Sequence, residues 1–159
     1  VTGIGERAGN VPLEDLALTL LTMYGKDMGL KTEKFFELSK LVRELSLVDI
    51  PSNRPVVGPT LFYVESGIIA DWVRNCGYEH ALELSPYRPE LVGQQNAQIV
   101  LGKNSGIPSV IEYLERIGRK GATKEQVLEM VMKVKEKAFE KKDLLTQEEF
   151  AKIAKDVLG

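Results

Sequence analysis

The residues best suited to chemistry lie at the start of the chain, in "VTGIGERAGN", residues 1 to 10. A glycine-rich turn ahead of a helix gathers free backbone N–H groups, which can cradle an anion. The stretch lacks both the GxGxxG order and the lysine of a P-loop, which argues against a nucleotide. Asn10 offers different chemistry, because a side-chain amide oxygen is a hard neutral donor able to complete an oxygen-rich metal shell. The same amide could instead cap the helix that begins near Pro12. Elsewhere the supply is thin. With one histidine, His80, and one cysteine, Cys76, there is no CxxC pair, no HExxH and no self-contained zinc site. Ser66, in "YVESGII", is outside any GxSxG pattern and has no His-Asp pair nearby in sequence, so it is not read as a nucleophile.

The elements that must position these residues are mostly helical. Residues 12 to 23 read as a helix, with Pro12 in the first turn, Glu14 and Asp15 at the positive end of the dipole, and leucines at 13, 16, 20 and 21. Gly25 and Gly29 end it. "GLKTEKFFELSKLVRELS" predicts a second helix with Thr32 as N-cap and an apolar face of Phe35, Leu38, Leu41, Val42 and Leu45. Three prolines and a glycine in "VDIPSNRPVVGP" forbid continuous helix and place a subdomain boundary near Pro51. "TLFYVESGIIADWVRNC" has helical periodicity broken at Ser66-Gly67. A glycine there implies close backbone approach to a neighbour. "NAQIVLG" predicts a strand or extended edge, and "SGIPSVIEYLERIG" a helix closed by Gly118. "TKEQ" at Thr123 and "TQEE" at Thr146 are capping boxes, each opening an amphipathic run. The alternating Lys and Glu residues from 133 to 142 read as a solvated helix face.

Composition narrows the class further. With 159 residues, 43% of them hydrophobic, the chain can bury a real core. The 21 Lys and Arg against 23 Asp and Glu leave a net charge of -2, so neither nucleic acid nor an anionic membrane is an expected partner. Apolar runs such as "LALTLLTMYG" are too short to span a bilayer, and a lone Cys76 forms no internal disulfide. A cytoplasmic setting is expected.

The stretches "GIGERAGNVPLEDL", "GLKTEKFFELSKLV", "IPSNRPVVG", "ESGI", "YE", "PELVG" and "IVLGKNSG" occur in an order that resembles the 2-isopropylmalate, homocitrate and citramalate synthase family. These are acyl-CoA-dependent condensing enzymes on a metal-containing TIM barrel. The resemblance runs from residue 1 to about residue 118. It implies a mostly α chain: the last strand-helix unit of a barrel, with "VTGIG" as the strand, followed by small helical subdomains with one or two short strands. Residues 1–47 would be the C-terminal remnant of the catalytic barrel, 48–118 a linker and post-barrel subdomain, and 119–159 a C-terminal helical subdomain. The other barrel strands would then belong to a missing portion of the protein, which would explain a chain that starts inside a loop.

Residue by residue, the resemblance makes Asn10 the amide ligand of a divalent metal (Mg, Mn or Zn), whose Asp and His partners lie outside this sequence. The metal would hold a 2-oxo acid while the enolate of acetyl-CoA attacks its carbonyl. Glu6 and Arg7 match the family's "ER" and take a substrate or structural role, an ion pair first of all. Tyr78, in "GYE", matches a tyrosine near the active site. Two departures stand out. Ile69 occupies the position of an expected His in "SGIIADW", where Trp72 replaces Gly, and Asn104 replaces a second His in "GKNSG". An isoleucine cannot move a proton. His80 is the available substitute imidazole, or else a surface or half-buried helical residue. Trp72, at helical spacing from Ile68, Ile69 and Cys76, fits an interface anchor in a homodimer. Two functions follow: a working part of such an enzyme, inactive when isolated, or a dimerisation or regulatory module without chemistry of its own.

Overall fold

A computed structural model describes residues 1–159, apart from the side chain of Ala81. Six α-helices and two short strands follow in the order α1 (Leu13–Tyr24), α2 (Phe35–Ser46), β1 (Tyr63–Val64), α3 (Gly67–Cys76), β2 (Gln98–Ile99), α4 (Ile107–Arg116), α5 (Lys124–Lys141) and α6 (Gln147–Leu158). They form two compact units. Unit 1 comprises Val1–Phe62 and Glu79–Asn96, and unit 2 comprises Tyr63–Tyr78 and Ala97–Gly159. Residues 47 and 48 therefore fall inside unit 1, and residues 118 and 119 inside unit 2.

Unit 1 is built on α1 and α2. Its core is Ala17, Leu18, Phe35, Val56, Val57, Phe62 and Val92, with Tyr87 packed edge-on against Phe62. Gly25, in the left-handed conformation, caps α1 as expected of a glycine at a helix end. Thr32 is not an N-cap. It opens a 3-10 turn, Thr32–Lys34, that leads directly into α2, and it is buried. The proline-rich connector is held by the side chain of Gln94, whose Nε2 donates to the Val56 carbonyl at 2.8 Å. The expected first strand is also absent among the described residues. Thr2 and Gly3 both adopt positive φ (57° and 73°), which turns the chain where an extended strand would run straight.

Unit 2 packs α4, α5 and α6 around Leu101, Val110, Tyr113, Met130, Val134 and Phe150, and α3 lies against α4. β1 and β2 pair in parallel, Tyr63 against Gln98 and Val64 against Ile99, and Leu101 bridges to Leu145. The helical pattern seen across residues 60–76 thus resolves into a strand and a helix, broken at Ser66-Gly67. The glycine is there for contact: a β-carbon on Gly67 would lie 2.9 Å from the Gly106 α-carbon. Both predicted capping boxes form, Thr123 with Gln126 and Thr146 with Glu149.

Gly67→Ala forces α3 and α4 apart at their starts and should cost unit 2 about 1–3 kcal/mol, read as a lowered unfolding midpoint in urea.

Candidate functional site

The loop of residues 3–10 closes on itself, because the Asn10 N–H donates to the Gly3 carbonyl at 2.9 Å. Glycines make the closure possible. A β-carbon on Gly9 would collide with the Gly3 carbonyl, and one on Gly5 with Asn10 Nδ2. The Asn10 side chain donates through Nδ2 to the Ile4 carbonyl at 3.3 Å. That bond takes the donor end of the amide, and Oδ1 accepts nothing among the described residues. Asn10 does not cap the following helix: the N-cap of α1 is Pro12, with no side-chain cap. An exposed amide oxygen on a closed loop is therefore what this segment presents. Glu6 and Arg7 are exposed in the same loop and form no ion pair among the described residues.

Beneath the loop lies a polar group that sequence reasoning missed. Glu14 is 0% exposed, and its Oε1 accepts the Thr2 N–H at 2.7 Å. Beside it Asp15 Oδ2 meets Arg54 Nη2 at 3.4 Å. Glu14 Oε2, Asp15 Oδ1 and Arg54 Nε are buried with no hydrogen-bond partner among the described residues. Burial pushes the Asp15 carboxyl up, against the pull of the Arg54 guanidinium. Buried polar atoms of this kind need a partner, which a water or a ligand group can supply. One signal was available: Glu14, Ala17 and Leu18 share one buried stripe of α1, so Glu14 is on the inward face and is not merely a dipole-compensating residue.

A metal can be tested against this donor set. Hard divalent cations take about six or more oxygen ligands. Asn10 supplies one, and no group of three His, Cys, Asp or Glu able to hold a metal exists among the described residues. The loop fits the role of a contributor to a metal shell and not that of a complete site.

In unit 2, the "ESGI" and "GKNSG" stretches brace each other. Besides the Gly67–Gly106 contact, the Asn104 N–H donates to Glu65 Oε1 at 2.8 Å, and the Gly102 N–H to the buried Ser105 Oγ at 2.9 Å. Ile69 is half-buried and Asn104 exposed, and neither can exchange a proton near neutral pH. Tyr78 follows α3 and donates to Glu112 Oε1 at 3.2 Å. Glu112 also pairs with Arg74 and with Arg116, the latter at 3.1 Å, while Arg74 grips Glu115 at 3.0 Å and Arg116 lies over the Tyr113 ring. Burial first, then the Glu112 charge, pushes the Tyr78 phenol up, so it is a neutral donor and not a base. His80 belongs to unit 1 and is neither helical nor half-buried: it is exposed, and its nearest acid is its neighbour Glu79 at 3.9 Å. Ser66 is exposed at the start of α3. On α3, Ile68 (80% exposed) and Trp72 (46%) form an apolar pair one turn apart.

No protein-family model matches the chain. Curated relatives do, and those named here are all synthases. The homocitrate synthase AksA of Methanothermobacter thermautotrophicus is 40% identical over 159 residues, covering 100% of this chain and 39% of the relative. The homocitrate synthase AksA of Methanocaldococcus jannaschii is 41% identical over 158 residues, 99% of this chain and 37% of the relative. The 2-isopropylmalate synthase of the latter organism is 35% identical over 162 residues, 100% of this chain and 30% of the relative. The chain belongs to the homocitrate, citramalate and 2-isopropylmalate synthase family, and spans less than two fifths of the length of these relatives. No helix among the described residues is long and apolar enough to cross a membrane.

The ion pair between Arg74 and Glu115 gives unit 2 an acid-side dependence. Arg74 holds the Glu115 carboxylate below its ordinary range. The folded-state value is the lower one, so the stabilisation is present above the unfolded value and lost as pH falls through the folded one. In acid titrations followed by tryptophan fluorescence, Glu115→Gln should flatten the stability loss in the carboxylate range relative to the parent chain.

Proposed function

We propose that this chain is the C-terminal part of an acyl-CoA-dependent 2-oxo acid condensing synthase, in which residues 1–47 complete a TIM barrel and Asn10 supplies one ligand to a divalent metal. The observation that carries this reading is the closed 3–10 loop, which spends the donor end of the Asn10 amide on Ile4 and leaves the acceptor end exposed. A module built only to dimerise has no need of such a loop. The remaining metal ligands, the 2-oxo acid and the acetyl-CoA would be held with the barrel portion. The metal, when bound, polarises the substrate carbonyl.

This chain's own residues have definite tasks in the reading. Glu14 ties residue 2 to α1 and so fixes the base of the Asn10 loop. Glu6 and Arg7, free of internal partners, are available to substrate or to the barrel portion. Tyr78 is a neutral hydrogen-bond donor, and His80 is exposed. The exposed Ile68 and Trp72 on α3 support a homodimer contact through unit 2. A second reading, a non-catalytic dimerisation or regulatory module, is favoured by Ile69, which removes the imidazole expected at that position.

Reassembly tests the two. The chain is mixed with a polypeptide carrying the missing barrel strands from the same source, Mg²⁺ or Mn²⁺, acetyl-CoA and a panel of 2-oxo acids, and release of free CoA thiol is followed. Turnover should appear, and Asn10→Ala should lower it by more than the roughly 10–100-fold typical of losing a ligand's hydrogen-bonding partner. Association of the two polypeptides with no turnover on any 2-oxo acid would favour the module.

A further inference from the structure

We infer that the outer face of α5 is a pairing surface for a second copy of this chain, with the two helices parallel and in register. α5 carries two apolar faces. Val127, Met130, Val131, Val134 and Ala138 are buried in the core of unit 2. Leu128, Met132 and Phe139 are not: they are 44%, 67% and 76% exposed, and their spacing of four and then seven residues sets them on one line along the helix. A helix needs one apolar face to hold it to its own core. A second aligned line of large apolar side chains marks a contact with something else.

The charges beside this line select the occupant. Lysines and glutamates alternate along the sequence, yet around the helix they are sorted. Glu129, Glu136 and Glu140 flank the apolar line on one side, and Lys124, Lys135 and Lys142 flank it on the other, as 3.6 residues per turn requires. Of these six only Glu129 has an ion partner on its own chain, Lys133 at 2.9 Å; the other five have none among the described residues.

A line with acid along one edge and base along the other complements itself in one arrangement. Where a two-fold axis runs along the helices, each acidic edge meets a basic edge of the other copy, and both edges are satisfied together. An antiparallel pair sets acid against acid and base against base, and a partner of single charge suits one edge only. In the parallel pair Leu128, Met132 and Phe139 each meet their own counterpart, Lys135 comes level with the partner's Glu136, and Lys142 with the partner's Glu140. One helix of 18 residues offers less than the roughly 800 Å² per partner of a standard interface, so the association is weak and is read at high protein concentration. The surface is on a different helix from Ile68 and Trp72, and the inference takes nothing from the enzymatic reading.

Disulfide trapping on the 159-residue chain, with Cys76→Ser to remove the native thiol, tests the geometry. Leu128→Cys and Phe139→Cys, made singly, should each form a disulfide-linked dimer with itself, and a mixture of the two should give no mixed dimer. Positions 128 and 139 stand about 16 Å apart along the helix, well beyond disulfide reach. Mixed dimers alone would mean antiparallel pairing and would overturn the proposal, as would no trapping of either variant. In sedimentation equilibrium Glu136→Lys should weaken self-association about tenfold, and adding Lys135→Glu should restore it. Residues adjacent in sequence do not face each other on a helix, so that rescue must act between copies. Self-association indifferent to Glu136→Lys, or a double variant no tighter than the single one, would contradict the proposal.

Discussion

A β-carbon on Gly67 would sit 2.9 Å from the α-carbon of Gly106, so α3 and α4 start at a point where two backbones touch. The rest of unit 2 depends on that contact. It sets the approach of the "ESGI" and "GKNSG" stretches and brings Glu65 under the Asn104 N–H. It also lets Arg74 on α3 reach Glu112 and Glu115 on α4. Unit 1 obeys the same constraint. Gly9 folds onto Gly3 to close the Asn10 loop, and a side chain at Gly93 would collide with the Glu33 carbonyl. Glycine here is less a source of flexibility than a way of excluding side-chain volume where the chain must meet itself.

Much of unit 2 could be read directly from the sequence. The capping boxes at Thr123 and Thr146 each satisfy two otherwise orphaned N–H groups with residues three apart, a local signal that packing does not override. The break at Ser66-Gly67 and its packing reason were equally legible, since a glycine in a helical pattern costs stability unless something approaches it. The start of the chain was not. "VTGIG" has the β-branched and apolar residues of a strand, yet Thr2 and Gly3 take positive φ, and no pattern of residue types records a backbone sign at a threonine. Thr32 misled for a related reason: it is a good N-cap by type, but burial and a 3-10 turn placed the start of α2 three residues later.

The candidate site was legible only in part. Asn10 was recognisable by its chemistry, and the structure adds the bond to Ile4 that orients its amide. The supporting polar group of Glu14, Asp15 and Arg54 was not recognised, because two acids in the first turn of a helix have an adequate explanation in the dipole alone. Burial is what separates the two accounts: Glu14 faces inward with one oxygen on Thr2 and the other without a partner. Ile69 carries no titratable group, and Asn104 meets the Glu65 carboxylate only through its backbone N–H. The nearby titratable phenol, Tyr78, is engaged by Glu112 and stays protonated.

The account stands on Asn10 being a metal ligand in the reassembled protein. The most direct measurement is NMR of the chain with its asparagine side-chain amides labelled, titrated with Mn²⁺ in the presence and absence of the missing barrel portion. Selective paramagnetic broadening of the Asn10 Nδ2 resonances, seen only when the barrel portion is present, is the predicted result. Resonances that stay sharp while the reassembled protein binds Mn²⁺ would show that the metal does not meet Asn10, and would contradict the account.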